Sequence, residues 1–339
     1  MKKILEALSG QSHLVPPIWM MRQAGRYLPE YKATRSEAGS FLNLCYDPKR
    51  AAEVTIQPIR RFGFDAAILF ADILLVPHAM GCDLAFETGE GPRMTPIQDI
   101  KDLNRLSDVG ALTRLESIGE TVVRTKEQLD SSTTLIGFAG APWTVATYVV
   151  GGRGGDEQYA ARLMMRENPE LLHTVMKRIT DVTIDYLAMQ AQAGAEVLKI
   201  FDSWASGLTR RQFDAYVVQY HNMIIQGLRD RGVNVPIIGF PRGAGVLAQV
   251  YLDHVPVQGL ALDTAFPIDL KANKVALQGN LDPLALIAGG DALNQEIDDV
   301  LESFEGRAHI FNLSHGIKPE TPIEHVEQMI SRIRNKNAV

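Results

Sequence analysis

Two arginines that lie four residues apart are the part of this 339-residue chain best suited to chemistry. Arg22 and Arg26 flank Gly25 and directly follow an apolar run that is typical of a strand. Guanidinium groups this close repel each other unless anions lie between them, and an acid such as Glu30 could supply one. Their position, where the chain leaves a buried strand, favours instead a rigid mount for a polycarboxylate or phosphate ligand.

A single carboxylate, Asp72, lies inside a long apolar stretch that ends at Val76. An aspartate that follows a strand often caps the next helix, and Asp72 could do the same. Because its neighbours are apolar, however, the carboxylate would be desolvated, and this costs free energy unless a partner compensates it. We therefore interpret Asp72 as a candidate functional residue.

Three further polar residues follow apolar runs, and each also has an ordinary structural interpretation. Tyr148 is of the type that packs in a core and bonds one partner through its hydroxyl. His315 precedes Gly316 and fits a turn or a helix cap, and Ser203 alone indicates little. A hydrolase triad of Ser203, His315 and Asp72 is excluded, because no Gly-x-Ser-x-Gly elbow surrounds the serine.

Short apolar, β-branched runs alternate with stretches of helical spacing along the whole chain. Continuous apolar runs of this kind predict parallel strands buried on both faces. Eight of them favour a closed (β/α)8 barrel, a TIM-type α/β fold, over the alternative of an open doubly wound sheet. The runs are 18–21, 66–70, 135–138, 196–201, 236–240, 259–262, 275–278 and 309–313, and the helical stretches include 48–62, 113–129, 170–191, 209–231 and 292–304.

No linker or composition shift divides the chain, so residues 1–339 are predicted to form a single barrel domain. The segment 82–94 is predicted to be a small hairpin inserted after the second strand. In a barrel of this kind, chemistry lies at the carboxyl ends of the strands. All the polar residues above, and Arg242 after the fifth run, fall at such ends and are expected to converge on one mouth.

Composition and charge exclude several classes of protein. The formal net charge of -6 gives no support to a nucleic-acid partner. Cys45 and Cys82 stand alone, which argues against a disulfide scaffold and a structural zinc site. The glycine cluster at 151–155 lacks a Gly-Lys-Ser/Thr continuation and predicts a lid-like loop instead of a phosphate cradle.

The amino-terminal residues predict a short helix, because Glu6 interrupts their apolar run before any cleavage-like motif. No window approaches 18 uncharged apolar residues, so we expect no membrane span. These two features predict a cytoplasmic protein.

The arginine segment Met21-Arg-Gln-Ala-Gly-Arg-Tyr-Leu-Pro-Glu-Tyr31 resembles the amino-terminal signature of the uroporphyrinogen decarboxylase family. Other segments are similar to blocks of the same family, in the same order along the chain. They are Leu-Phe-Ala-Asp72-Ile-Leu, Gly140-Ala-Pro-Trp-Thr with Tyr148, Phe-Asp-Ser203-Trp, Leu-Gln-Gly-Asn280-Leu-Asp-Pro and Asn-Leu-Ser-His315-Gly. Trp204 stands where other members have histidine, and some members have threonine in place of Ser203.

This resemblance implies a (β/α)8 barrel, a homodimer without a cofactor or metal, and a place in haem biosynthesis. The implied reaction converts the four acetate side chains of uroporphyrinogen III to methyl groups, which gives coproporphyrinogen III. The resemblance assigns catalysis to Asp72, Arg22, Arg26 and Tyr148. It implies that the substrate cleft is lined by Arg22, Gln23, Ala24, Gly25, Arg26, Asp72, Tyr148, Ser203 and His315.

Decarboxylation leaves an electron pair that needs a sink, and the sequence signals neither a metal cluster nor a lysine in a cofactor pocket. A pyrrole protonated on carbon could be that sink, with Asp72 stabilising the cation and arginines holding the peripheral carboxylates. As proton donor, Asp72 would need a raised pKa, whereas nearby arginines would lower it. We therefore favour an electrostatic role for Asp72, with an arginine or a substrate carboxyl carrying the proton.

Three other functions fit parts of the pattern. A corrinoid-linked methyltransferase of the same superfamily would need a thiolate at a zinc site, but no cysteine follows Phe201. A non-catalytic tetrapyrrole or anion binder could use the same arginines. An aldolase-like barrel would need a lysine at a strand end, whereas Lys199 lies inside the fourth predicted strand of the barrel.

Overall fold

The computed structural model describes residues 2–87, 91–267 and 270–335. Its strands are β1 (Ala66–Ile68), β2 (Ala85–Glu87), β3 (Gly91–Arg93), β4 (Thr134–Gly140), β5 (Val197–Asp202), β6 (Ile237–Pro241), β7 (Gly259–Ala261), β8 (Ala276–Leu281) and β9 (His309–Leu313). Within the described residues, seven of them form one parallel sheet in the order β1-β4-β5-β6-β7-β8-β9. Every residue of these seven strands is buried, as the continuous apolar runs predicted.

The two edges of this sheet approach each other through the segment 17–19. Ile18 forms a parallel bridge with Phe311 of β9. On its other side, the amide of Asp65 donates to the Ile18 carbonyl at 2.9 Å, directly before β1 begins. The sheet is therefore curled, with its first and last strands on either side of this segment.

The predicted strand at 18–21 is wrong beyond its first residues. The amide of Met20 donates to the side chain of Gln23, and the amide of Met21 donates to the side chain of Asn312. These amides bond to side chains, so the chain turns away from the sheet instead of extending the ladder. The turn delivers the arginine segment to the carboxyl ends of the neighbouring strands.

Helices precede β1, follow β9 and connect most successive strands of the sheet, although the described residues between β7 and β8 contain no helix. They are α1 (Lys3–Leu8), α2 (Pro29–Glu37), α3 (Phe41–Tyr46), α4 (Pro48–Phe62), α5 (Leu75–Ala79), α6 (Ala111–Gln128), α7 (Pro142–Gly151), α8 (Tyr159–Glu167), α9 (Pro169–Gln192), α10 (Arg210–Phe213), α11 (Gln219–Asp230), α12 (Ala248–His254), α13 (Pro283–Ala288), α14 (Gly290–Ser303) and α15 (Ile323–Arg334). The short amino-terminal helix is confirmed as α1, which buries Ile4, Ala7 and Leu8.

Local sequence explains where α4 begins and ends, which is where the helix was predicted. The side chain of Asp47 accepts the amide of Arg50 and so satisfies a free donor of the first turn. At the other end Gly63 has φ 63°, a left-handed conformation that suits glycine. The predicted helix at 209–231 differs from the structure, because a π-helical turn at Asp214–Val218 separates α10 from α11.

The predicted hairpin lies between α5 and α6. Its arms, β2 and β3, pair antiparallel, with Phe86 opposite Pro92. The residues that join them, 88–90, lie outside the described residues, so the hairpin as a whole stays a prediction.

Among the helices that the structure describes, none is both long enough and apolar enough to cross a membrane.

Candidate active site

The arginine pair follows the turn at 20–23 and has no local counter-ion. Arg22 and Arg26 are exposed, and in the described part of the chain neither forms an ion pair or a hydrogen bond. Glu30, the acid that could have separated them, bonds instead to Arg61 through two contacts of 2.7 and 2.9 Å. Both guanidinium groups therefore keep their charge free for a ligand.

Backbone contacts fix the position of Arg22. Its φ of 65° lies in the left-handed region, which costs a non-glycine residue about 1 kcal/mol. A Cβ on Gly25 would lie 2.7 Å from the Arg22 carbonyl oxygen, and one on Gly316 would lie 2.3 Å from its Cδ. The stem of Arg22 thus lies directly on the main chain that follows His315.

Asp72 follows β1 and is only partly exposed. One of its carboxylate oxygens accepts the amide of Leu74 at 2.8 Å. Leu74 itself is the N-cap of α5, so Asp72 closes a local turn before the helix and does not cap it. No other hydrogen bond to the carboxylate is found in the described ranges.

The pKa of Asp72 is raised above its ordinary value, and burial is the main cause. The Leu74 amide and the Arg22 guanidinium both oppose this rise in pKa. We expected nearby arginines to lower the pKa of Asp72. Arg22 does lower it, but the net shift is upward, because desolvation outweighs the charge of Arg22.

Tyr148 lies on α7 with its ring partly buried, and its pKa is raised by burial first. The Trp204 indole and Arg22 lower this pKa, whereas Asp72 raises it. The rings of Tyr148 and Trp204 pack with their centroids 6.3 Å apart. Tyr148 therefore lies between the Asp72 side of the site and the loop that follows β5.

The glycine-rich loop after α7 covers the Tyr148 ring. A Cβ on Gly154 would lie 2.6 Å from the ring and 2.8 Å from the hydroxyl oxygen, so only glycine fits this approach. The loop is tied at its base, where the amide of Met94 donates to the Gly152 carbonyl at 2.9 Å. It lies against the candidate site, as a lid would.

His315 is partly buried and lies among cations. Burial, followed by the charges of Arg242, Arg22 and Lys318, lowers its pKa to about 3. Its imidazole is therefore neutral near pH 7. Since its ring makes no hydrogen bond within the described residues, His315 is not a capping residue.

The remaining residues implied for the cleft differ in exposure. Gln23 is fully buried: its side-chain oxygen accepts the amide of Met20, and its side-chain nitrogen donates to the Ala66 carbonyl at 3.0 Å. Its side chain thus holds the turn and presents no surface to a substrate. Ala24, Gly25 and Ser203 are partly exposed, and Ser203 directly follows the end of β5.

The structure brings together Arg22, Asp72, Tyr148 and His315. Arg22 lies near enough to the other three to change the pKa of each. Arg26 stands apart from this group, and the group whose pKa it affects is Tyr31. One shared mouth is thus formed by Arg22, which follows the turn at 20–23, and by residues from the segments after β1, β4 and β9.

Sequence reasoning missed one member of this mouth and assigned no role to another. Lys318 adds a third cation around His315, and the only signal for it was its place two residues after Gly316. Trp204 was noted only because other family members have histidine at its position, and in the structure its ring contacts Tyr148. Its indole nitrogen is buried and has no hydrogen-bond partner in the described structure.

Lys199 lies inside β5, as expected, and only 1% of its surface is exposed. Its amine lies 5.0 to 5.2 Å from the ring centroids of Trp19, Phe201 and Phe240. Burial lowers its pKa well below the ordinary value. The amine is too enclosed for a substrate to reach, so the aldolase-like alternative gains no support.

In the described ranges, no group of three histidine, cysteine or acidic side chains lies close enough to hold a metal ion. The mouth instead combines one poorly solvated carboxylate with several cations that have no anionic partner among the residues the structure describes. Such an arrangement suits a ligand with many carboxylates at its edge and a centre that donates hydrogen bonds or becomes positive.

Comparison with known proteins identifies relatives across the whole chain. Residues 1–336 match the family model described as uroporphyrinogen decarboxylase (URO-D). The chain is 52% identical to the uroporphyrinogen decarboxylase of Caulobacter vibrioides over 98% of its own length and 95% of that protein. It is 50% identical to the one from Maricaulis maris, over 99% and 98% of the two chains.

Among solved structures, the chain resembles a methyltransferase from Methanosarcina mazei. The TM-score is 0.77 and the sequence identity 19%, over 98% of each chain. At that identity the likeness describes the fold alone.

Proposed function

The chain belongs to the uroporphyrinogen decarboxylase family, and on this premise we propose that it converts the acetate side chains of uroporphyrinogen to methyl groups. The single observation on the site that carries the proposal is the position of Asp72. Within residues 2–87, 91–267 and 270–335, it is a desolvated carboxylate with one hydrogen bond, beside an arginine that has no counter-ion. A reaction that develops positive charge near this carboxylate would be accelerated by it.

The chemistry at each acetate can be balanced without a redox step. A proton adds to a pyrrole carbon and makes the ring a cation. The bond from the side-chain methylene to the carboxylate then breaks, its electron pair neutralises the ring, and carbon dioxide leaves. Protonation of the exocyclic carbon and loss of the ring proton give the methyl group, so each turnover consumes one proton.

Asp72 is assigned to the centre of the macrocycle. Its oxygens would accept the pyrrole N–H groups and stabilise the ring cation. A carboxylate about 4 Å from a cation, at an effective dielectric constant of about 20, contributes roughly 4 kcal/mol. This corresponds to about three decades of rate. Because the cation exists only near the transition state, the effect should appear in kcat.

The cations are assigned to the periphery. Arg22 and Arg26 would bind substrate carboxylates, and Arg242 and Lys318 extend the same positive surface around His315. Since His315 is neutral near pH 7, it is assigned to hydrogen bonding and not to proton delivery. Tyr148 would contact the substrate between Asp72 and the loop after β5.

The raised pKa of Asp72 bears on which group donates the proton, but it does not change the electrostatic role that we assign to Asp72. A carboxyl group with a raised pKa is a better acid catalyst at neutral pH than an ordinary aspartate. A bound macrocycle with pyrrole N–H donors, however, would stabilise the ionised form again. We retain the electrostatic role, with the proton coming from an arginine or a substrate carboxyl.

The same premise extends to architecture. We propose a closed (β/α)8 barrel in which Ile18 marks the remaining strand position between β9 and β1, supported by its bonds on both sides. We also propose that the chain is one domain and works as a homodimer in the cytoplasm. Sedimentation of the purified protein would test the dimer.

Incubation of the purified protein with uroporphyrinogen III under reducing conditions tests the function. Mass spectrometry should show four successive losses of carbon dioxide and an end product with the mass of coproporphyrinogen. Binding without any mass loss would instead favour a tetrapyrrole-binding protein. An Arg22→Gln variant provides the control, since it should slow the loss and leave the folded state intact.

A further inference from the structure

A second carboxylate, Asp202, lies at the end of β5 and is fully buried. The hydroxyl of Thr144 donates to one of its oxygens at 2.5 Å, and Nε2 of His221 lies 3.2 Å from the other. Nδ1 of His221 lies 2.7 Å from the Tyr251 hydroxyl. These four residues, which we call the Asp202 network, come from β5, α7, α11 and α12, and none of them is exposed.

The protons in this network can be placed from its bonds. The amide of Trp204 donates to the Thr144 hydroxyl oxygen, so the hydroxyl proton is directed at Asp202. With Asp202 as a carboxylate, His221 donates from Nε2, and its other nitrogen then accepts the proton of Tyr251. Each buried polar side-chain atom on this path has at least one assigned partner, which makes the arrangement rigid.

The network holds the loop that follows it. Both main-chain polar groups of Trp204 are fixed, because its amide bonds to Thr144 and its carbonyl accepts Nε1 of Trp143 at 2.8 Å. The amide of Arg242 donates to the Asp202 carbonyl at 3.0 Å, so the next loop begins from the same point. Ser203 lies between Asp202 and Trp204, and the main chain of both neighbours is hydrogen-bonded.

Trp204 links the Asp202 network to Tyr148. Its ring packs on Tyr148, and its indole nitrogen is buried with no partner in hydrogen-bond geometry among the described residues. The indole nevertheless lies near enough to the phenol to lower its pKa. The direction of the Tyr148 hydroxyl therefore depends on where the Asp202 network holds Trp204.

We propose that the Asp202 network is a positioning device for the reaction, which sets the Trp204 indole against Tyr148 and holds Ser203 and the start of the Arg242 loop. Its members do not touch substrate. This inference rests on the proposed function and adds to it Thr144, Asp202, Trp204, His221 and Tyr251. Gly239 belongs to the same device, because a Cβ there would lie 2.1 Å from the Tyr251 hydroxyl oxygen.

Thr144→Val tests the inference, because valine keeps the shape and removes both hydrogen bonds of the hydroxyl. We expect kcat to fall about tenfold or more, with KM changed less than about twofold, since positioning acts at the transition state. Thr144→Ser keeps the hydroxyl and should restore most of the rate. Thr180→Val is the matched control, because Thr180 is equally buried and its hydroxyl bonds within α9 to Met176.

Acrylamide quenching of tryptophan fluorescence adds a readout that needs no substrate. Trp19 and Trp143 are fully buried, so quenching reports mainly on the partly exposed Trp204. Quenching should increase in Thr144→Val and stay unchanged in Thr180→Val. If Thr144→Val does not fold, Tyr251→Phe removes one hydroxyl of the network and should give the same pattern.

The outcomes separate this inference from the proposed function. If the unaltered protein removes no carbon dioxide from uroporphyrinogen, the proposed function fails. If it does, and a folded Thr144→Val or Tyr251→Phe variant keeps both its kcat and its quenching, the positioning role is overturned. A Thr144→Ser variant as slow as Thr144→Val would also overturn it, because packing would then explain the loss.

Discussion

Asp72 and Asp202 are two carboxylates at the ends of strands in one sheet, and their surroundings are opposite. Asp202 is fully buried, and each of its oxygens has a side-chain partner. Asp72 is partly exposed, has one backbone amide as its partner, and has a raised pKa. A carboxylate with all its partners in the fold stabilises structure, whereas one whose partners are incomplete is available to a ligand.

Asp72→Asn should have the largest effect on catalysis. Asparagine keeps the bond to the Leu74 amide and removes the charge, so we expect kcat to fall about 1,000-fold with a small change in KM. Because the pKa of Asp72 is raised in the folded state, its ionised form lowers stability above that pKa. The variant should therefore unfold about 1 to 3 °C higher at pH 7. Steady-state kinetics and thermal unfolding measure both effects, and kcat within a few-fold of the unaltered protein would contradict the role.

Asp202→Asn should have its main effect on stability. The amide group would place a donor against either the Thr144 hydroxyl or the His221 nitrogen, in a site closed to water. We expect the free energy of unfolding to fall by about 2 to 4 kcal/mol. Urea unfolding measures the change, with Asp185→Asn as the control, because Asp185 is only partly buried and its partner is the surface residue Arg231. An unchanged midpoint would show that the two carboxylates do not differ as we describe.

Arg22 and Arg26 extend the comparison to the residues that would bind the ligand. Because Arg22 and Arg26 have no ion pair in the described part of the chain, affinity for an anionic macrocycle should fall as salt rises. Between 50 and 300 mM salt we expect about a tenfold loss, with a shallower dependence for Arg22→Gln than for Arg26→Gln. Fluorescence titration with uroporphyrin at several salt concentrations gives these slopes. A flat dependence would count against direct binding of carboxylates by these residues.

A substitution of His315 should have the smallest effect of these changes. The effect should appear in how the free energy of unfolding depends on pH. Its pKa is about 3 in the folded state and about 6.5 when the chain is unfolded. The unfolded state therefore binds more protons between these values, and stability falls as pH drops below about 6.5. His315→Gln removes this contribution to the pH dependence. Relative to the unaltered protein, the free energy of unfolding of the variant should therefore be about 1 kcal/mol higher at pH 5 than it is at pH 7.5. If the free energy of unfolding changes equally with pH in the variant and in the unaltered protein, this effect of His315 is excluded.

Much of the scaffold could be predicted from sequence because its signals are local. Continuous apolar runs predicted the seven strands, and Asp72, Tyr148 and His315, from segments that follow three of these runs, lie near Arg22 in the structure. The pKa of Asp72 could not be predicted, since its direction is a balance of burial and charge that depends on distances. The partners of Asp202 were also inaccessible, because they lie 58 and 19 residues away along the chain.

The run at 18–21 marks the limit of such reasoning. Its composition predicts a strand, yet its amides bond to Gln23 and Asn312. A side-chain amide that competes for backbone bonds cannot be recognised from an apolar pattern, because Asn312 lies 291 residues away.

Arg22 is positioned by packing against glycine main chain. Gly25 lies against the Arg22 carbonyl oxygen, and Gly316 lies against the stem of its side chain. An acid paired with the guanidinium would offset part of its charge, whereas glycine main chain does not. The stem of Arg22 can thus be oriented by packing while its guanidinium keeps its charge until a ligand binds.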